Sequence, residues 1–148
     1  MAWRGTFRPK HPEKYAGDPT GIIYRSRIEL KYMEYFDRHE DILQWASEEL
    51  AIEYLKPTDL RIHKYYPDMI VLRRGVDGKN KTFMVELKHS SDLTPPKPPA
   101  TTRGQRRFLG EMQTWNVNQS KWAAARAYCA DRGWEFVVWS EKQLGKAY

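Results

Sequence analysis

Two runs decide the fold: Pro67-Asp68-Met69-Ile70-Val71-Leu72 and, past a turn cluster, Thr82-Phe83-Met84-Val85-Glu86-Leu87-Lys88-His89. The first is a short apolar run of strand length. The second alternates, with Phe83, Val85 and Leu87 on one face and Thr82, Met84, Glu86 and Lys88 on the other. Gly75-Val76-Asp77-Gly78-Lys79-Asn80 between them has the composition of a hairpin connection. Pairing the two strands brings Asp68, at the head of one, toward Glu86 on the next. Lys88 follows Glu86 on the same face, about 7 Å along the strand.

Upstream, residues 22–38 read as a helix, with Ile28, Tyr32, Tyr35 and Phe36 at i, i+4, i+7 and i+8. Residues 42–55 look extended, as strands around Ser47–Glu49. Residues 1–21 form an irregular arm punctuated by Pro9, Pro12, Gly17, Pro19 and Gly21. Such an arm either wraps the domain or reaches a partner, and residues 22–148 make one domain. Downstream, Pro95, Pro96, Pro98 and Pro99 forbid regular structure in a 90–103 loop. The spacing Thr102-x-x-Gln105 predicts a capping box at a helix start. A second helix is expected after Asn118, ending at Gly133 as a C′ glycine. Trp134 to Trp139 reads as a buried strand, and Ser140-x-x-Gln143 as the cap of a short last helix. The order is that of an α/β protein, a central β-sheet flanked by helices.

The counts exclude several classes. With 148 residues, 41% apolar and 30% charged, the chain builds a core and is neither disordered nor membrane-spanning. The lone cysteine, Cys129, excludes an internal disulfide and a multi-cysteine zinc site. His11, His39, His63 and His89 lack ligand spacing, and there is no phosphate-binding loop or nucleophile elbow. A nucleotide cofactor is therefore not expected. The net charge of +6 is uneven. Residues 1–74 carry 13 basic and 12 acidic groups, residues 75–148 carry 12 and 7. From Leu93 to Gly110 there is no acid, but there are Lys97, Arg103, Arg106 and Arg107. That window is either a phosphate tracker or a solvated loop.

Phosphodiester hydrolysis needs a hard cation to polarise phosphate and to acidify an attacking water. Mg²⁺ takes oxygen ligands and keeps several waters, so a few carboxylates suffice. Asp68 and Glu86 are candidate ligands, with Lys88 to position the water or stabilise developing charge. An acid and a lysine alternating on a strand also fit a plain solvent-facing edge. Glu29 is a third carboxylate or a surface partner of Arg25, four residues away. Glu48 is a site residue or a turn residue. Lys121 reaches a phosphate or stays a solvated helix lysine, while Asn118 reads as a cap.

The chain resembles the head completion nucleases of T-even-type tailed phages nearly end to end. The likeness runs through Phe7-Arg-Pro-Lys10, Lys14-Tyr-x-Gly-Asp-Pro19, Ile23-Tyr-Arg-Ser26, Glu29, Trp45-x-Ser-Glu48, Tyr66-x-Asp68 and Glu86-x-Lys88. It continues through Pro95-Pro96, Lys97-Pro98, Arg107-Phe108, Val117-Asn118, Lys121-Trp122-x-Ala124-Ala125, Gly133-x-x-Phe136 and Glu141-x-x-Leu144. More widely it resembles PD-(D/E)xK nucleases of the TnsA-like kind, which have a mixed sheet flanked by helices and use Mg²⁺. The resemblance implies Asp68, Glu86 and Glu29 as ligands of Mg²⁺ (or Mn²⁺) and Lys88 as the catalytic lysine. It sets Arg25, Ser26 and Glu48 close by. His89 departs from related phage sequences, which often carry proline there.

The expected function is a metal-dependent nuclease acting on double-stranded DNA at the phage head before tail attachment. Lys97, Arg103, Arg106, Arg107 and Lys121 would grip the backbone. Portal or neck proteins are the expected protein partners, in the virion and, during assembly, in the host cytoplasm. The rival expectation is a DNA-end-binding head–neck protein with an inert nuclease fold.

Overall fold

The computed structural model describes residues 4–145. Its centre is a four-stranded sheet in the order β3-β6-β7-β8, formed by Ile42–Ser47, Met69–Arg74, Asn80–Leu87 and Glu135–Trp139. The first two pairings are antiparallel and β7–β8 is parallel, so the sheet is mixed, as the resemblance implies. Parallel neighbours need a crossover. It is made by α2, Gln105–Arg132.

Strand alternation sorts the side chains onto two faces. Trp45, Val71, Val85 and Leu87 pack against Tyr32, Met33 and Phe36 of α1, Arg27–Arg38. Met84, with Ile70 and Val138, faces Trp122, Ala125 and Cys129 of α2. Both faces are thus covered by apolar contact, the main favourable term in folding. A hairpin of β4 (Ile52–Lys56) and β5 (Arg61–Tyr65) closes the α2 side with Ile52, Tyr54 and Tyr65. Strand β5 escapes the sequence reading because most of Arg61–Tyr65 is exposed and polar.

The arm wraps the domain. Phe7 and Tyr15 are buried and meet the Trp45 ring edge-on, with centroids at 5.9 and 4.7 Å. Buried Asp37 accepts from the backbone N–H groups of Lys10 (2.8 Å) and His11 (3.0 Å). The Lys14 ammonium donates to the Asp37 and His39 carbonyls at 2.9 and 2.8 Å. The arm is also not wholly irregular: Gly5–Thr6 (β1) pairs with Ile23–Tyr24 (β2).

Three expectations are corrected. The first helix begins at Arg27, not at 22, because the Ser26 hydroxyl accepts from Glu29 N–H and caps it. The box at Thr102 does not form, since Thr102 lies inside a 3-10 turn and a capping residue needs extended backbone. The break at Asn118 is absent, and α2 runs unbroken for 28 residues. Trp115 and Trp122 flank Asn118 at helical spacing, and an interior asparagine costs a helix only about 0.7 kcal/mol. The ends fall where expected: Gly133 takes a left-handed φ of 71°, and Ser140 and Gln143 form a capping box.

Candidate active site

The register of β6 on β7 pairs Ile70 with Met84 and Met69 with Val85. One step further along lie Asp68 and Glu86, on the face shared with Met84 and covered by α2. The Asp68 Oδ2 accepts from the Leu87 N–H at 2.8 Å, which draws its carboxylate onto the β7 backbone between Glu86 and Lys88. Lys88 N–H donates to the Trp139 carbonyl at 3.0 Å, so β8 holds the same stretch from the other side.

Glu86 is 8% exposed. Burial pushes its carboxyl up to about 7, opposed by the Lys88 and Lys121 ammoniums and a hydrogen bond from Trp122. The Tyr65 hydroxyl donates to its Oε2. Lys121 stands over the Tyr54 and Tyr65 rings at 5.8 and 5.6 Å from their centroids. Asp68 is also pushed up to about 7, first by burial and then by the charges of Glu29 and Glu48. The Leu87 N–H and Lys88 pull the other way.

Glu29 sits in the first turn of α1 and is raised by burial first. Its carboxylate accepts from the Arg25 N–H, while the Arg25 guanidinium pairs with Glu48. Glu48 turns the chain after β3 with a φ of 53°, rare for a residue with a side chain. Its N–H donates to the Asp68 carbonyl at 3.1 Å. Arg25, Ser26 and Glu48 therefore surround Glu29, whose charge bears on both Asp68 and Glu86.

The basic residues divide. Lys97 lines a cleft of about 830 Å³ that opens beside Lys88. Arg103 and Arg106 are exposed where α2 begins. Arg107 pairs with Glu111 at 3.0 Å. Lys121 lies apart from these, within electrostatic reach of Glu86. Tyr65 was missed altogether, and the only signal for it was its place just before Tyr66-Pro67-Asp68. Trp122 read as core, which it is, but it also reaches Glu86.

Among the described residues, no three His, Cys, Asp or Glu side chains are gathered as a ready-made metal centre. The donor chemistry nonetheless fits a hard divalent cation. Burial penalises negative charge on Asp68 and Glu86, and a cation would remove that penalty. Two carboxylates with water suit Mg²⁺, which rarely takes an all-protein cage.

A family model described as TnsA-like endonuclease N terminal matches residues 39–141. That span begins just before β3 and takes in Asp68, Glu86 and Lys88. The chain is 35% identical to the head completion nuclease of Enterobacteria phage T4 over 146 residues, 97% of this chain and 95% of that protein. No solved structure matches it. The mixed sheet, the acids at its end and a match over most of its length make this chain a member of the TnsA-like endonuclease N-terminal family.

Proposed function

We propose that the protein is a metal-dependent deoxyribonuclease of a phage head, cutting packaged or protruding DNA before the tail joins. The observation that carries this is the meeting of Asp68, Glu86 and Lys88 at one end of two paired strands, with both carboxyls desolvated. The near end-to-end likeness to a head completion nuclease supports the setting. Double-stranded DNA and the portal or neck proteins are its partners in this reading, and the virion its place.

Asp68 and Glu86 would hold Mg²⁺ or Mn²⁺, with Glu29 as the third acid, and such an ion would supply Lewis acidity toward the scissile phosphate and an attacking water. Lys88 supplies a positive charge beside the reacting phosphate, where charge develops in the transition state. Tyr65 and Trp122 fix the orientation of Glu86. Arg103 and Arg106 lie on the surface to meet the DNA backbone, a sequence-independent grip.

The test is incubation of purified protein with linear duplex DNA and Mg²⁺ or Mn²⁺, beside a chelated control and Glu86→Ala. Cutting is expected only with the ion, and Glu86→Ala should lower it at least about 100-fold. If wild type binds DNA but neither protein cuts, the inert head–neck reading replaces this one.

A further inference from the structure

The 830 Å³ cleft beside Lys88 lies between the loop before α2 and the first half of that helix. Its charge is balanced: Lys88 and Lys97 are in its wall, but so are Asp92 and Glu111. Those two acids flank the acid-free 93–110 window in sequence and fold into one cleft with it. A track for phosphates is a positive groove. This one is not.

The wall offers other chemistry. Trp115 is half-buried there, and its ring meets no other aromatic ring among the described residues. Asn118 lies nearly one turn further along α2, and its amide makes no hydrogen bond among the described residues. Pro95 lines the cleft from the loop. An indole face for stacking, with free amide donors and an acceptor beside it, suits a nucleobase. Every base has a π-face, and its edge can be hydrogen-bonded only when it is unpaired or in a groove. Trp115, Asn118 and Trp122 fall at i, i+3 and i+7, so the cleft wall and the cover of Glu86 share one face of α2.

We propose that this cleft takes an unpaired nucleotide of a DNA strand, its base stacked on Trp115 and its edge bonded to Asn118. As a statement about substrate choice it rests on the nuclease reading. A base inside a duplex is stacked on both sides and presents no face to Trp115. The cleft therefore favours single strands, overhangs and frayed ends over intact duplex.

Binding of a single-stranded oligonucleotide, a blunt duplex and the same duplex with an overhang is measured on the full chain, with chelator present. Trp115→Phe keeps an aromatic face, and Trp115→Leu keeps apolar bulk without one; thermal unfolding checks that each folds. Wild type should bind both unpaired substrates at least about fivefold more tightly than the blunt duplex. Trp115→Phe should keep most of that preference and Trp115→Leu should lose it. Equal binding of all three by wild type overturns the proposal and needs no variant. So does a Trp115→Leu protein that keeps the full preference. Preference without cutting in Mg²⁺ or Mn²⁺ overturns the nuclease reading and leaves the cleft assignment. Cutting without preference does the reverse.

Discussion

Glu86 is held by side chains from separate parts of the chain. Tyr65 comes from β5, Trp122 and Lys121 from α2, and Lys88 from just past the end of its own strand. Removing the tyrosine hydroxyl should leave the fold and loosen the acid. Tyr65→Phe is expected to cost about 1 kcal/mol of stability and to lower kcat about 10- to 100-fold. Thermal unfolding and cleavage rates read the two effects separately. A Tyr65→Phe enzyme with unchanged kcat would mean that the bond serves packing alone. That Asp68, Glu86 and Lys88 come together was legible because it needed only alternation on one strand and a turn before it. Tyr65 was not, because its bond to Glu86 spans 21 residues and no local spacing marks it.

At the scale of elements, period and punctuation carried most of the reading. Met69–Arg74 and Asn80–Leu87 form the antiparallel pair that their alternation and intervening turn suggest. The errors fell where tertiary contact outweighs local preference. The stripe of α1 lies wholly after its cap, but the helix expected over 22–38 ran past that cap, and Ile23 and Tyr24 pair with the arm instead. Asn118 looked like a boundary because asparagine caps helices, yet its neighbours pack as a continuous face. Gly133 was placed correctly for a physical reason: only glycine takes a φ of 71° without strain. Gly133→Ala is expected to cost about 1 kcal/mol, although open space surrounds the added methyl group. Denaturant unfolding measures it. A neutral result would show that the turn into β8 relaxes.

Over the whole molecule, burial of two acids ties stability to pH. Asp68 and Glu86 sit near 7 in the folded chain, against about 4 when unfolded. Between those values the folded state binds more protons than the unfolded state. Their contribution is therefore fully present below about pH 4 and is lost as pH rises through about 7. Metal-free protein should lose on the order of a few kcal/mol from these groups between pH 5 and 8. The double variant Asp68→Asn, Glu86→Gln should flatten that slope, and Mg²⁺ or Mn²⁺ should restore wild type most at the alkaline end. A wild-type curve as flat as the variant's would contradict the burial. Net charge was legible as a total, but its layout was not: the structure folds Asp92 and Glu111 in among the basic residues of the loop and helix.

The parallel pairing of β8 with β7 also sets an order in time. The strand that carries Glu86 is synthesised well before the strand that lies beside it. Tyr32 likewise waits for the Ser140 carbonyl, its acceptor at 2.6 Å, and Ser90 for the Glu141 carboxylate. A chain still on the ribosome with Gly133 just added has its proposed catalytic residues but lacks the strand that completes their sheet. A chain cut after Gly133 should unfold without a cooperative transition by circular dichroism, whereas one cut after Leu144 should retain it. On the proposed reading, cutting should therefore be absent from the chain cut after Gly133 and present in the one cut after Leu144, because only the second holds the strand beside Glu86.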